Sequence, residues 1–159
     1  IASCLVGSEM CIRDRNESED AARLHYLKHF GLTDEGIQSL PLRPENRAYV
    51  DSMIEATKNG EGAAECMMAC LPCMLSYGWI FQKLLEEKPS VQDTLYGALV
   101  VDYADKGYEA ACRDWAAFAE KVCEGLSDER LARCREIFHA CSEHELNFWA
   151  MAASPRSDL

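Results

Sequence analysis

Between Glu65 and Phe81 the chain reads E-C-M-M-A-C-L-P-C-M-L-S-Y-G-W-I-F, an apolar run that carries three cysteines, one proline and one tyrosine. At ~100° per residue, Cys66, Cys70, Cys73 and Tyr77 fall within a sector roughly 60° wide on one helix. Three thiols and a phenol on one stripe must face whatever that helix packs against. A buried core face, a metal or cluster site, and a nucleophile pocket all fit such a stripe.

The remaining sequence supplies the packing partners, and all of them read as helices. Ser18 is placed to cap a helix through Phe30, with Glu19 and Asp20 in its first turn and Gly31 as its stop. Thr33 to Leu42, with Gly36 and Pro41, predicts one short turn plus extended chain. Pro44 sits just inside a new start, and Tyr49, Ser52, Met53 and Ala56 recur at helical spacing until Asn59-Gly60. The central run then continues to about Lys88. Pro72 lacks an N–H and clashes with the carbonyl one turn back, which predicts a kink or restart and puts Cys73 at a helix start. Ser90 with Asp93 resembles a capping box for a helix through Asp102, followed by a bend from Tyr103 to Gly107. Tyr108, Ala111, Cys112, Trp115, Ala119, Val122 and Cys123 mark an amphipathic helix ended by Gly125. Ser127 caps the last helix, which runs to about Ala153. No period-two run and no repeat interrupts this pattern. The expected fold class is all-α, a bundle of about six helices.

At 159 residues the chain suits one domain with a real core, and 48% hydrophobic residues argue against extensive disorder. A net charge of −11, with no offsetting Lys/Arg run, argues against nucleic acid and anionic membrane as partners. No apolar run is expected to reach the ~20 residues of a membrane-spanning helix. Most cysteines sit inside amphipathic patterns rather than at disulfide-framework spacings, which points to a reducing, cytoplasmic setting.

Residues 1–15 show neither period nor caps. Leu5 to Arg15, L-V-G-S-E-M-C-I-R-D-R, reads as a translated transposase sequencing adapter, so residues 1–15 are set aside as non-native. Ile1-Ala2-Ser3-Cys4 has the form of a lipoprotein box, but the apolar stretch that should precede its cysteine is lacking. Residues 16–159 are then expected to form a single, partial all-helical domain whose N-terminal helices are missing.

Four groups could carry chemistry. Cys134, Phe138, Cys141, Glu145, Phe148, Trp149 and Ala152 share one stripe of the last helix, which sets the Glu145 carboxylate on an apolar face. A carboxylate there is either paired or driven toward its neutral form, and it suits acid–base work or a structural hydrogen bond equally well. The C-x-x-x-C-x-x-C spacing of Cys66, Cys70 and Cys73 matches a radical-SAM cluster motif. That motif belongs on a loop of an α/β barrel, for which strands are absent here, and a zinc site would need a fourth ligand. Glu136-x-x-His139, with Glu143 and His144 nearby, resembles half of a di-iron carboxylate site without its second half. Cys73 after Pro72, with Tyr77 one turn on, reads as a thiol nucleophile at a helix start or as a packing cysteine.

Leu71-Pro72-Cys73-x-x-x-Tyr77 resembles the L-P-C-x-x-x-Y signature of the thiaminase II family, also called TenA, of the haem-oxygenase-like fold. The segment from Glu145 to Ala152 is similar to that family's E-x-x-F-W-x-M-A. Tyr96 and Tyr103 are similar to its Y-x-x-W-I-x-x-Y, with Leu99 and Val100 replacing Trp and Ile and Tyr108 in place of a later Phe. Ala48-Tyr49-Val50 matches a further tyrosine position, and the resemblance spans about Leu24 to Ala152. It implies hydrolysis of an aminomethyl-substituted aminopyrimidine to the hydroxymethyl compound plus ammonia, or cleavage of thiamine, in thiamine salvage. By resemblance Cys73 adds to the pyrimidine ring and Glu145 shuttles protons, as the catalytic pair. Tyr77 and Tyr103 orient thiol and carboxylate, and Tyr49 walls the ring. The resemblance implies no cofactor and no metal, a small-molecule aminopyrimidine or thiamine as ligand, and a homo-oligomer, a tetramer, for the full-length parent. An acidic residue and aromatics that family members carry in their first helices have no match here. A metal-dependent di-iron oxidase and a non-catalytic ligand-binding bundle are the alternatives on the same fold.

Overall fold

The computed structural model describes residues 24–60 and 62–154, with the backbone alone at Gln38. The adapter-like segment 1–15 and the Ser18 cap lie outside the described residues. The chain divides into two units at Pro41/Leu42, and each is described by itself. In the first, residues 24–30 are helical (α1) and stop at Gly31, whose φ of 66° only glycine adopts without strain. The turn expected after Thr33 is a short helix, α2 (Asp34–Gln38), capped by the Thr33 hydroxyl on the Gly36 amide at 3.1 Å.

The second unit holds α3 (Pro44–Asn59), α4 (Ala63–Glu87), a 3₁₀ turn (Pro89–Asp93), α5 (Gly97–Ala104), α6 (Lys106–Cys123) and α7 (Asp128–Ala152). No strand occurs among the described residues, and the all-α fold class stands. α4 is the axis: α3, α5, α6 and α7 all pack against it. By length and composition α4 could cross a membrane, contrary to the expectation from sequence. Its apolar surface instead packs against four neighbouring helices, as that of a long core helix does.

Pro72 does not restart α4. Helical residues run without a break from Ala63 to Glu87, so Cys73 lies in a helix interior. A proline inside a helix forfeits one hydrogen bond and strains the preceding turn, and here the surrounding helices hold the helix together across it. The expected supply of open amides and dipole to the Cys73 thiol is therefore missing. A second correction concerns Ser90 and Asp93. They form a 3₁₀ turn, not the head of a helix, and the chain then extends at Thr94 before α5 begins. It folds back so tightly that a Cβ on Gly97 would lie 1.9 Å from the Gln92 carbonyl oxygen, so only glycine fits there. The bend near Asp105 is as expected. Its carboxylate caps α6 through the Tyr108 amide at 2.8 Å, and Ser127 caps α7 through the Arg130 amide.

Glu65 is the most demanding residue in this packing. It sits in the first turn of α4 with 1% exposure, and Arg130 from the first turn of α7 grips both its oxygens. Arg130 Nη2 donates to Oε1 at 2.9 Å and Oε2 at 3.0 Å, and Nε donates to Oε1 at 3.1 Å. Burial alone would raise the carboxyl's pKa. Its own backbone amide, the guanidinium and the Gly62 amide more than reverse that, leaving it below the usual value. A cation in a helix's first turn opposes the macrodipole, so Arg130 is explained by Glu65 and not by its own helix. Together with the Tyr77–Trp149 contact, at 5.2 Å between rings, this pair shows that α4 and α7 run parallel.

Two outcomes follow from this packing. Arg130→Met strands a buried carboxylate and should cost about 3 kcal/mol in urea unfolding at neutral pH. Because Glu65 is depressed in the fold, its contribution is present above the unfolded pKa and lost as pH falls toward the folded one. Glu65→Gln should flatten that acid-side slope.

Candidate active site

The site is built from three helices around one carboxylate. α3 runs antiparallel to α7: Arg43 Nη1 donates to the Met151 carbonyl at 2.9 Å, Tyr49 meets Glu145, and Ser52 shares a hydrogen bond with Cys141. The order of these contacts places Tyr49 opposite the middle of α7's apolar face. Its phenol donates to Glu145 Oε1 at 2.8 Å. Glu145 is 5% exposed, so the carboxylate expected to need a partner has one. Burial first, then the hydrogen bond and charge of Glu145, then Cys73 and Cys141 push the Tyr49 pKa well above the ordinary phenol value. The phenol thus stays a proton donor at any pH the protein meets. His144 lies flat against Tyr49, with ring centroids 5.6 Å apart and planes within 16°.

An aromatic wall adjoins this pair. Tyr77 packs on Tyr103 and on Trp149, each at 5.2 Å between ring centroids, and on Phe81 at 5.8 Å. Tyr103 in turn meets Phe81 at 5.3 Å and Tyr108 at 4.9 Å. Tyr108 donates to the Met74 carbonyl at 3.1 Å. This packing depends on Gly78, where a Cβ would meet Cys112 Sγ at 2.9 Å and the Tyr108 ring at 3.2 Å. Cys73 and Tyr77 are four apart on α4, and Glu145 and Trp149 are four apart on α7. The parallel register brings Tyr77 onto Trp149, and Cys73 lies one turn back on α4 within electrostatic reach of Tyr49.

Of the five residues predicted from sequence, Tyr49 and Glu145 are joined directly, and Tyr77 and Tyr103 form the wall beside them. The partner of the carboxylate is Tyr49, which had been expected only to wall the ring. Cys73 is exposed on α4. A cleft of about 280 Å³, lined by Pro72, Leu75, Ser76, Trp79, Phe138, Ser142 and Glu145, reaches the carboxylate along the adjacent face of α4. Among the described residues three buried side-chain atoms have no hydrogen-bond partner within the protein: Glu145 Oε2 and Trp149 Nε1 on α7, and Glu45 Oε2 on α3. Sequence reasoning did not find the Trp149 donor, although an indole on the same stripe as a buried carboxylate was a visible signal.

The competing constellations do not assemble. Cys66 and Cys70 are half-buried, and among the described residues no three His, Cys, Asp or Glu side chains converge in metal-binding geometry. His139 and Glu143 pair with each other at 3.7 Å on the outer face of α7, where His139 is 77% exposed, and Glu136 is also exposed. Facing solvent, they do not fit the inward-pointing ligand set of a di-iron bundle.

Burial raises the pKa of Cys70, Cys134 and Cys141, which holds them as thiols. With iodoacetamide at neutral pH, exposed Cys73 should be alkylated at least tenfold faster than these three, as peptide mass mapping would read. Tyr49→Phe keeps the ring on His144 but leaves Glu145 unpaired, and should destabilise by about 2 kcal/mol.

Comparison with known proteins places this architecture. Residues 9–154 match the model of the TENA/THI-4/PQQC family. An aminopyrimidine aminohydrolase of Helicobacter pylori is 27% identical over 142 residues, which cover 89% of this chain and 64% of that protein. One of Halalkalibacterium halodurans is 27% identical over 132 residues, covering 82% of this chain and 58% of that protein. The chain therefore spans about 60% of the length of these relatives. A solved structure, described as a TenA family transcription regulator from Silicibacter sp. TM1040, superposes with a TM-score of 0.70 at 28% identity, over 83% of this chain and 60% of that one. With its family match running through every helix of the site, this chain belongs to the TENA/THI-4/PQQC family.

Proposed function

We propose that the chain carries the reacting part of an aminopyrimidine aminohydrolase of the thiaminase II type. The names of the two curated relatives support the reaction class. The observation that carries the reading is the buried Tyr49–Glu145 hydrogen bond at 2.8 Å, with Cys73 in electrostatic reach of the same phenol. A thiol, a carboxylate and a phenol held by three different helices are what a substitution at an exocyclic carbon needs.

In this reading the Cys73 sulfur bonds to a pyrimidine ring carbon and pushes electrons toward the exocyclic methylene, whose C–N bond breaks. Glu145 gives the departing amine its proton, so ammonia leaves. The carboxylate then takes a proton from water as the water oxygen bonds to the methylene, and the thiolate departs. Atoms balance as amine plus water giving alcohol plus ammonia. Tyr49 holds Glu145 Oε1 fixed through both transfers, and Tyr77 and Tyr103 form the face on which the ring stacks. No metal or other cofactor enters these steps. A cytoplasmic location and a tetrameric full-length parent belong to the same proposal, and the ligand is a small aminopyrimidine or thiamine, not a nucleic acid or a membrane. The Silicibacter protein's description as a regulator finds no support in a chain of net charge −11 without a basic run.

The test is ammonia release from the aminomethyl-substituted aminopyrimidine, using the chain extended to the length of its relatives. Cys73→Ala and Glu145→Gln should each lower kcat by about 100-fold or more. Unchanged turnover in Cys73→Ala sinks the nucleophile. Tight pyrimidine binding without turnover would identify a non-catalytic bundle instead.

A further inference from the structure

The turn Glu124–Ser127 joins α6 to α7, and a cysteine stands on each side of it. Cys123 is the last residue of α6 and is half-buried. Cys134 lies in the second turn of α7 and is 2% exposed. Both are free thiols, and their side chains share a hydrogen bond. Neither belongs to the candidate site: Cys134 precedes Glu145 by three helical turns, about 16 Å along the axis.

The local structure lets one thiol move and holds the other still. A disulfide brings its sulfurs to ~2.05 Å, so thiols already in hydrogen-bond contact must close by about 2 Å. The backbone leaves the helix immediately after Cys123. Glu124 is extended, Gly125 adopts a φ of 73°, and the Leu126 amide returns to the Cys123 carbonyl at 3.3 Å. Cys123 therefore sits beside a glycine turn that can absorb a small shift. Cys134 is one turn beyond Arg130, whose guanidinium is fixed on Glu65, and it stays with that packing. A movable, partly exposed thiol over a fixed, buried one is the arrangement of an attacking and a resolving cysteine.

We propose that Cys123 and Cys134 form a reversible redox site, a dithiol that a small-molecule disulfide of the glutathione type converts to a disulfide linking α6 to α7. This site is independent of the aminohydrolase reading. The Cys123 thiolate attacks one sulfur of the small disulfide, the S–S bond breaks, and one small thiol leaves. Cys134 then gives up its proton, its sulfur bonds to that of Cys123, and the second small thiol leaves. Two protein S–H groups are oxidised and one small disulfide is reduced to two thiols, with no further reactant. Burial, then Cys123 and Glu65, raise the Cys134 pKa and hold it as a thiol until that second step.

The test is to incubate the 159-residue chain with oxidised glutathione at about pH 8, alkylate the remaining thiols in urea, and map tryptic peptides without reduction. Cleavage after Lys121, Arg130, Arg133 and Arg135 makes the bridge visible as residues 122–130 joined to residues 134–135. Cys112 provides the internal control, because it precedes Cys123 by the same separation at which Cys134 follows it. An unfolded chain joins Cys123 to either about equally. In the folded chain the Cys134 bridge should exceed the Cys112 bridge about tenfold or more, and dithiothreitol should remove it. Cys134→Ser should instead leave glutathione on Cys123. A glutathione adduct on wild-type Cys123 beside an alkylated Cys134, similar yields of the two bridges, or no reaction at either residue would overturn the proposal. Should Cys134→Ser not fold, the wild-type map decides, with the same oxidation carried out in urea beside it. The preference for Cys134 should vanish there, and a preference that persists would overturn the assignment to the fold.

Discussion

Burial of α4 is the constraint on which the second unit depends. This helix is 25 residues long and largely apolar, and four helices pack against it. Covering it also builds the site. α7 must lie along α4 to bury Cys134, Cys141 and its aromatic end, which carries Glu145 to the level of Pro72. α3 closes the third side with Tyr49, Ala56 and Met53 against Cys141, Ala69 and Phe148. Tyr49 and Glu145 are thus residents of the core interface, held by the same packing that makes the protein fold.

Two buried carboxylates mark where that packing departs from apolar chemistry, and they are handled differently. Glu65 is ionised and fully gripped by Arg130, so it ties the first turns of α4 and α7 together and has no capacity left for chemistry. Glu145 has one oxygen held by a neutral phenol and one without a protein partner. A protein that invested only in stability would have satisfied both oxygens, as it did at Glu65. The contrast between the two residues is what separates a structural carboxylate from a candidate reacting one.

Much of this was legible in the chain. Pro44, Gly31, Gly125, Asn59-Gly60 and Ser127 mark helix ends because their backbone chemistry is local. The stripe on α7 placed Glu145 on a buried face because helical period depends on spacing alone. The errors came where a local rule met a tertiary one. Pro72 should break a helix, yet neighbours on several sides hold α4 together across it. Ser90 and Asp93 have capping chemistry, yet the return of the chain over Gln92 leaves room only for a 3₁₀ turn. The apolar length of α4 was underestimated because its cysteines, glycine and proline interrupt the run by residue type without interrupting its hydrophobicity.

The sequence by itself determined that the chain is all-helical, which faces are apolar, and that Cys73, Tyr77 and Glu145 share a family's motifs in order. Those properties depend on period, caps and residue identity, which need no long-range contact. Only the tertiary structure decided that Tyr49 is the partner of Glu145, that Arg130 answers Glu65, and that Trp149 packs on Tyr77 and Phe81. Helical period fixes the face a residue occupies. Which residue of another helix meets it depends on register and direction, and those were set when α3, α6 and α7 settled around α4.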